Sequence, residues 1–347
     1  MQSNTFFYLN ADEKIGSGHF WRCLSIANEL SKLNIDTSFL YSSLNDVLLQ
    51  KLEQHNYFSY QLNNNTAQDF LDIIKTKNHD TNVALLIIDS DNTCFYEKEF
   101  QLNIINSGLR LMIITVNNHF HYYAHILLNQ NIIACHQNYS TENYTRKLFG
   151  PSYFIYTPQF RKLGLQPAKP IGKNIFISFG SSDPCHYTLP LIKRIVNNEF
   201  FNSFTFHVVV GALNKDYEKI KALCNAHDKI NLHYNIEDVS SIMLQSNLAF
   251  CAPGLMFWEL ALMGVKAILF SGSAREKIIG SFLGDKKYTY AFHNYDEILD
   301  DAKFELLKNL LSDLNEEIFQ NFSELREAID PQGINKICDE INHILHN

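Results

Sequence analysis

Two α/β domains in tandem are what this sequence predicts, and three observations predict them. Short apolar runs alternate with amphipathic helical stretches along the chain, a segment bearing Gly, Pro and Lys interrupts them near the middle, and the strand-loop-helix order then restarts. A length of 347 residues is ample for two domains, each with its own core. With 46% hydrophobic and 19% charged residues, disorder and fibrous repeats are excluded.

The first domain, residues 1–160, opens with the apolar run Thr5 to Leu9, a turn at Gly16 to His19 and a helical stretch from Phe20 to Leu33. Further strands are expected at Thr37 to Tyr41, Val83 to Ile88, Leu111 to Val116 and Ile126 to Leu128, apolar runs of the kind buried on both faces of a parallel sheet. Helices fit at Leu44 to His55 and Ala67 to Lys75. Residues 161–173, with Gly164, Pro167, Pro170 and Gly172, read as a linker. The second domain, residues 174–325, repeats the pattern. Strands are expected at Asn174 to Phe179, Phe204 to Val210, Ile230 to Tyr234, Leu248 to Cys251 and Lys266 to Phe270. Helices intervene from Thr188 and at Tyr217 to Ala226, Val239 to Leu244 and Phe257 to Met263, and residues 326–347 read as a C-terminal helix.

Lys and Arg number 29 against 37 Asp and Glu, giving a net charge of −8 with no basic block. No grip on nucleic acid is expected; a small-molecule partner is. Seven scattered cysteines without a CxxC read as reduced thiols. The N-terminus lacks the features of a secretory signal and no apolar run approaches the roughly 20 residues of a membrane span, so a cytoplasmic location without a transmembrane segment is expected.

In open α/β sheets ligands sit beyond the carboxyl ends of the strands, and two such domains facing one another form a cleft. Three strand-to-helix loops therefore draw the chemistry. The first is Gly16-Ser17-Gly18-His19. Glycines let the backbone approach a ligand, a helix N-terminus favours an anion, and His19 is placed to act as a general base or phosphate donor, although a capped helix with an ordinary His explains the motif equally well. The second is Gly180-Ser181-Ser182-Asp183, a cradle for a phosphate or pyrophosphate, with helix capping by Ser182 or Asp183 as the competing explanation. The third is Ala252-Pro253-Gly254 leading into Leu255-Met256-Phe257-Trp258-Glu259, where an acid among apolar neighbours suits the two hydroxyls of a ribose. His119, His121 and His125 lack Cys or carboxylate neighbours in sequence and read as surface residues rather than metal ligands.

Across most of its length the chain resembles the UDP-sugar hydrolases of pseudaminic acid biosynthesis and the related spore-coat polysaccharide proteins. The resemblance runs through IGSGHFWRCLSIANEL (Ile15 to Leu30), LLIID (Leu85 to Asp89), HILLNQN (His125 to Asn131), LFGPSYFIYTPQF (Leu148 to Phe160), FISFGSSDP (Phe176 to Pro184), PGLMFWELALMGVKAIL (Pro253 to Leu269) and IDPQGINKI (Ile329 to Ile337). It implies a GT-B-like α/β fold of two Rossmann-like domains facing across a cleft, no metal and no cofactor. His19 matches the catalytic histidine that activates water against the anomeric carbon and releases UDP. Gly180, Ser182 and Gly254 match the loops around the nucleotide diphosphate, and Glu259 matches the acid on the ribose.

The chain departs from that pattern at several positions. Tyr8 and Asn10 stand where the family reads Arg-x-Asp, Ser90 and Asp91 where the hydrolases carry His-Tyr, and Ala252-Pro253-Gly254-Leu255-Met256 where the family has Ala-Gly-Gly-Ser-Thr. The family's Asn-Gln is replaced within Ser271 to Glu276, where Arg275 or Lys277 offers compensating positive charge. These changes point to an altered sugar or acceptor. Three readings follow: a hydrolase of a UDP-activated amino or deoxy sugar in bacterial surface-glycan synthesis, a GT-B glycosyltransferase that passes a UDP- or CMP-activated sugar to an acceptor glycan, and a non-catalytic nucleotide-sugar-binding protein.

Overall fold

The computed structural model of the protein describes residues 4–11, 17–77, 84–167, 173–312 and 316–346. Gly16 and residues 168–172 of the expected linker lie outside the described residues. The chain divides into two compact units, residues 1–161 with 329–347 and residues 162–328.

In unit 1 the order is β1 (Asn4–Leu9), α1 (Gly18–Ser31), β2 (Asp36–Tyr41), α2 (Asp46–Gln54), β3 (Phe58–Gln61), α3 (Ala67–Lys77), β4 (Leu85–Asp89), α4 (Lys98–Asn106) and β5 (Arg110–Ile114). Then come β6 (His121–Tyr122), β7 (Ile126–Asn129), β8 (Ser140–Thr141), β9 (Arg146–Phe149) and α5 (Pro158–Leu163), across which the division between the units falls. Seven strands form one parallel sheet in the order β3-β2-β1-β4-β5-β7-β9. Its two faces are read off the alternation of side chains. Phe7, Leu9, Leu85 and Ile87 join one cluster with Phe20, Cys23, Leu24, Ala27 and Leu30 of α1. Phe6, Tyr8, Leu86 and Ile88 join the other with Phe70 and Ile74 of α3 and Phe100 and Ile104 of α4.

Unit 2 holds β10 (Asn174–Ser178), α6 (Thr188–Val196), β11 (Thr205–Val210), α7 (Tyr217–Asn225), β12 (Ile230–Tyr234), α8 (Ser240–Gln245), β13 (Leu248–Cys251), α9 (Leu255–Leu262) and β14 (Lys266–Phe270). It closes with α10 (Ala274–Asp285), β15 (Tyr290–Phe292), α11 (Asp296–Leu299), α12 (Asp301–Ser312) and α13 (Phe322–Glu327). Its six strands are parallel in the order β12-β11-β10-β13-β14-β15.

The last helix, α14 (Gly333–His346), returns to unit 1, where Ile334, Ile337, Cys338, Ile341 and Leu345 complete the core on the α1 face. Residues 326 and 327, expected in this helix, instead end α13. The strands β3, β9 and β15 were not expected. Each is short and lies at a sheet edge, and β3 exposes Phe58 and Gln61, so none carries the apolar run that marks a central strand.

In each sheet the first strand has its successor on one side and a later strand on the other. β1 lies between β2 and β4, and β10 between β11 and β13. These are the topological switch points, and the loops at their carboxyl ends are where such sheets take ligands.

Candidate functional site

At the switch point of unit 1, His19 from the first turn of α1 meets Asp89 at the end of β4. Nδ1 of His19 lies 2.6 Å from Oδ1 of Asp89. Arg22, one turn along the same helix face, donates from Nε to Oδ2 at 2.6 Å and from Nη2 to Oδ1 at 2.5 Å. This is a bidentate guanidinium-carboxylate pair with almost no solvent contact, the Asp89 side chain being 0% exposed and that of Arg22 10%. Burial alone would raise the Asp89 carboxyl. The charges of Arg22 and His19 and their hydrogen bonds outweigh it and hold the group far below the usual carboxylate range. Asp89 is thus a permanent anion.

An ionised carboxylate can only accept, so Nδ1 of His19 carries the proton and the lone pair sits on Nε2. Asp91 faces that nitrogen, its Oδ2 3.8 Å from Nε2. The arrangement is an imidazole with its tautomer fixed from behind, the geometry of a carboxylate-histidine pair. Arg22 already balances much of the Asp89 charge, so the main task of Asp89 is to orient the ring.

Asp89 and Arg22 were missed as site residues by sequence reasoning. The signal was present: an acid terminates the otherwise apolar strand LLIID, and an Arg follows His19 by three positions. Ser17 precedes the helix and makes no side-chain cap, and Gly18 begins α1.

Tyr8 and Asn10, the departures nearest this loop, are building material. The Tyr8 ring is fully buried against Phe70 and Phe95, and its hydroxyl donates to Oδ1 of Asn65 at 2.8 Å and accepts from Nδ2 of Asn10 at 3.0 Å. Oδ1 of Asn10 accepts from the backbone of Ser42 and Ser43. Ser90 is likewise occupied, its carbonyl accepting from the Tyr96 hydroxyl and its Oγ from the Asn92 amide. The histidine stretch differs from expectation in two respects: Glu142, just after β8, stands 3.1 Å from Nε2 of His121, and His125 is half-buried, its Nδ1 accepting from the Leu111 amide at 3.2 Å and its Nε2 lying 3.2 Å from Nη1 of Arg110. No cluster of three or more His, Cys, Asp or Glu placed for a metal occurs among the described residues.

In unit 2 four loops leave the neighbouring strands β11, β10, β13 and β14 at the carboxyl edge. The loop after β10 contains Gly180 at φ +87°, Asp183 at +44° and His186 at +54°, three left-handed residues in seven. Gly211, after β11, packs directly on it; a Cβ there would stand 2.4 Å from Cα of Ser181. On the other side the Tyr187 hydroxyl donates to the carbonyl of Ser271 at 2.8 Å. Ser181 and Ser182 are half-buried and make no hydrogen bond among the described residues, which leaves both hydroxyls for a ligand.

Asp183 does not share that freedom. Its Oδ1 accepts from the Tyr187 amide at 2.9 Å, and its Oδ2 accepts from the Thr188 amide at 2.8 Å and the Thr188 hydroxyl at 2.6 Å. The helix-capping explanation describes it, so Asp183 shapes the loop and is withdrawn from the expected nucleotide contacts.

After β13, Gly254 is extended, exposed and followed by α9 with no side-chain cap; the Phe257 amide donates to the Gly254 carbonyl at 3.2 Å, which leaves the Leu255 and Met256 amides to another acceptor. Glu259 lies one turn on, partly exposed, its side chain making no hydrogen bond or ion pair among the described residues. Burial pushes its carboxyl up to about 8. A carboxyl without an internal partner beside a switch point is available to hydroxyl groups from outside the chain.

After β14, Ser273 and Glu276 form a capping box at the start of α10, and Oε2 of Glu276 also accepts from the Gly272 amide at 2.8 Å. Arg275 sits in the first turn of this helix, and Lys277 donates to Oδ1 of Asn294 at 2.6 Å.

No protein-family model matches the chain. The uncharacterized protein MJ1062 of Methanocaldococcus jannaschii is 26% identical over 267 residues, covering 74% of this chain and 53% of that protein, so the chain spans about half the length of the curated relative it matches. Among solved structures, MurG of Acinetobacter baumannii superposes over 99% of this chain and 100% of its own at a TM-score of 0.67 and 15% identity. The spinosyn rhamnosyltransferase SpnG complexed with thymidine diphosphate covers 98% and 100% at a TM-score of 0.65 and 10% identity. Anabaena HepE in complex with UDP-glucose covers 99% and 100% at 0.58 and 12% identity. These likenesses show the fold: the chain has the GT-B architecture of two Rossmann-like α/β domains.

Proposed function

We propose that the protein is an enzyme acting on a nucleotide-activated sugar, with His19 as the general base and unit 2 as the nucleotide-binding unit. The observation that carries this reading is the His19-Asp89-Arg22 arrangement. A binding protein has no use for an imidazole whose tautomer is fixed by a buried anion, itself clamped by a buried guanidinium. The nucleotide is assigned to Gly180, Ser181, Ser182, Gly254 and Glu259, with Arg275 offering charge to the phosphates. Ligands of structures with the same fold, thymidine diphosphate on SpnG and UDP-glucose on HepE, support a nucleoside diphosphate.

The finer reading is hydrolysis of the anomeric bond of a UDP-activated amino or deoxy sugar in the manner of the pseudaminic acid family, water being the nucleophile. The second reading is transfer to an acceptor glycan, favoured by the rhamnosyltransferase SpnG among the structures with this fold. In both, proton removal by Nε2 of His19 accompanies attack on the anomeric carbon, and the bond to the nucleotide phosphate breaks.

A thermal-shift panel of UDP, UMP, CMP, CDP, GDP and dTDP comes first, since a ligand of the native state raises its melting temperature. A selective UDP response is expected. UDP-sugar turnover then compares wild type with His19→Ala, which should keep UDP binding and lose turnover by about 10²-fold or more. Free sugar formed without an acceptor establishes hydrolysis, whereas nucleotide release only with an acceptor glycan establishes transfer. Silence from all six nucleotides overturns the nucleotide-sugar reading.

A further inference from the structure

We infer that His207 and His233, side by side on the sheet of unit 2, form a binding site for a divalent transition metal of the Zn2+, Ni2+ and Co2+ class.

The register of two strands brings the rings together. β11 and β12 run parallel, with His207 opposite Asn231 and Val209 opposite His233. Side chains in register share a face of the sheet, and so do side chains two apart on one strand, so His207 and His233 project from the same side. Nδ1 of His207 lies 3.3 Å from Nε2 of His233, and the two rings are stacked at an interplanar angle of 26°. Zinc takes imidazole nitrogen at about 2.0–2.1 Å in a tetrahedron, two corners of which are then about 3.3–3.4 Å apart. The nitrogens already stand at the spacing of two ligands on one ion.

A histidine ligates through a lone pair, so its ring must be neutral. Both rings are half-buried; burial lowers both from the usual histidine value, and His233 lowers His207 further. At neutral pH neither carries a charge. Without metal, one facing nitrogen donates its proton to the other in an N–H···N bond. The far nitrogens, Nε2 of His207 and Nδ1 of His233, bond to no protein group among the described residues, so that proton can move to the far nitrogen of its own ring. Each ring then turns to aim its lone pair at an ion lying off the line between the two nitrogens. No proton is gained or lost by the pair. No group of three or more His, Cys, Asp or Glu placed for a metal occurs among the described residues, so water completes the coordination. Two imidazoles select borderline transition metals over Mg2+ and Ca2+, which take oxygen ligands. The role is structural: β12 is an edge strand that pairs only with β11, and the ion ties the two together.

The test uses the full chain without an affinity tag and has a solution arm and a crystal arm. Isothermal titration with Zn2+, Ni2+ and Co2+ should show saturable binding, with Mg2+ and Ca2+ silent, and Zn2+ should raise the melting temperature. His207→Ala and His233→Ala should each weaken Zn2+ binding about tenfold or more, because one of two protein ligands is gone, and should remove most of the rise in melting temperature. In wild-type crystals soaked in zinc chloride, an anomalous peak is expected about 2.0–2.1 Å from both Nδ1 of His207 and Nε2 of His233. This arm requires no variant to fold. Wild-type affinity for Zn2+ in either variant overturns the inference, as does zinc found only at other residues. A peak at the pair in the crystal without binding in solution overturns it too.

Discussion

Three carboxylates, each at the carboxyl end of a strand or in the helix that follows, have been given different work by their surroundings. Asp89 is ionised and paired, Asp183 caps a helix, and the Glu259 side chain has no hydrogen bond or ion pair among the described residues. Burial raises both Asp183 and Glu259, but hydrogen bonds from Tyr187 and Thr188 offset part of it at Asp183, whereas burial pushes Glu259 up to about 8 and nothing within the described chain offsets that. The sign of the consequence is definite. An unfolded Glu releases its proton near pH 4.3, so between about 4.3 and about 8 the folded state binds more protons than the unfolded one, and stability falls as pH rises through that window. Glu259→Gln, with no charge to bury, should melt at a higher temperature than wild type above about pH 8, the difference vanishing near pH 4. Above about pH 8, where Glu259 is ionised, the same variant should bind UDP about tenfold more weakly than wild type, since a hydrogen bond to a charged acceptor becomes one to an amide. A gain in stability with a loss of binding marks a residue retained for function. If melting temperature and UDP affinity are both unchanged, Glu259 is not the ribose acceptor.

At the scale of elements, the loops proposed to hold the nucleotide depend on backbone approach as much as on side chains. Gly211 lets the loop after β11 lie against Ser181, with a Cβ there 2.4 Å from Cα and 2.6 Å from the carbonyl oxygen of Ser181. Both are backbone atoms, so the added methyl of Gly211→Ala must displace the loop that carries Ser181 and Ser182. At Gly254 a Cβ meets nothing within 4 Å, and the chain there has an ordinary negative φ. Gly211→Ala should therefore weaken UDP binding about tenfold or more through misplacement of the cradle, whereas Gly254→Ala should leave the melting temperature of the free protein unchanged. Isothermal titration and a melting curve on both variants check this; equal UDP affinity in Gly211→Ala and wild type would show that the loop takes no part. The central strands and the helices between them were legible in the sequence, because burial on both faces writes long apolar runs into β4, β5, β10, β13 and β14. The loops were legible as loops, with His19 and the small residues singled out. What the sequence could not show was pairing at a distance. Asp89 reaches His19 across 70 positions, and the choice of Asp183 between ligand and helix cap depends on where the Thr188 amide lies.

The same limit acts on the whole molecule, and α14 shows it most clearly. Its apolar residues recur at helical spacing, which establishes a buried face and leaves the identity of the partner open. The chain passes through all of unit 2 before this helix returns to unit 1 and seals the α1 face of the first sheet. Gly333 permits the closure, since a Cβ there would stand 2.6 Å from the carbonyl oxygen of Ser152. The consequence is that unit 1 is not a contiguous domain. Ile334, Ile337, Ile341 and Leu345 are each at most 5% exposed, and burying four such side chains is worth about 6–12 kcal/mol as an upper estimate. That equals the whole net stability of an ordinary domain. A chain ending at residue 328 should therefore lose the fold of unit 1, while unit 2, residues 162–328, keeps all of its own strands and helices. Hydrogen exchange followed by mass spectrometry on the truncated chain should show peptides of β1, β4 and α1 exchanging freely, with those of β10, β13 and β14 still protected. UDP should still raise the melting temperature of what remains folded, because the proposed nucleotide contacts all lie in unit 2, whereas sugar release should vanish with the scaffold of His19. Protected β1 and α1 peptides in the truncated chain would mean that the face α14 covers can close without it.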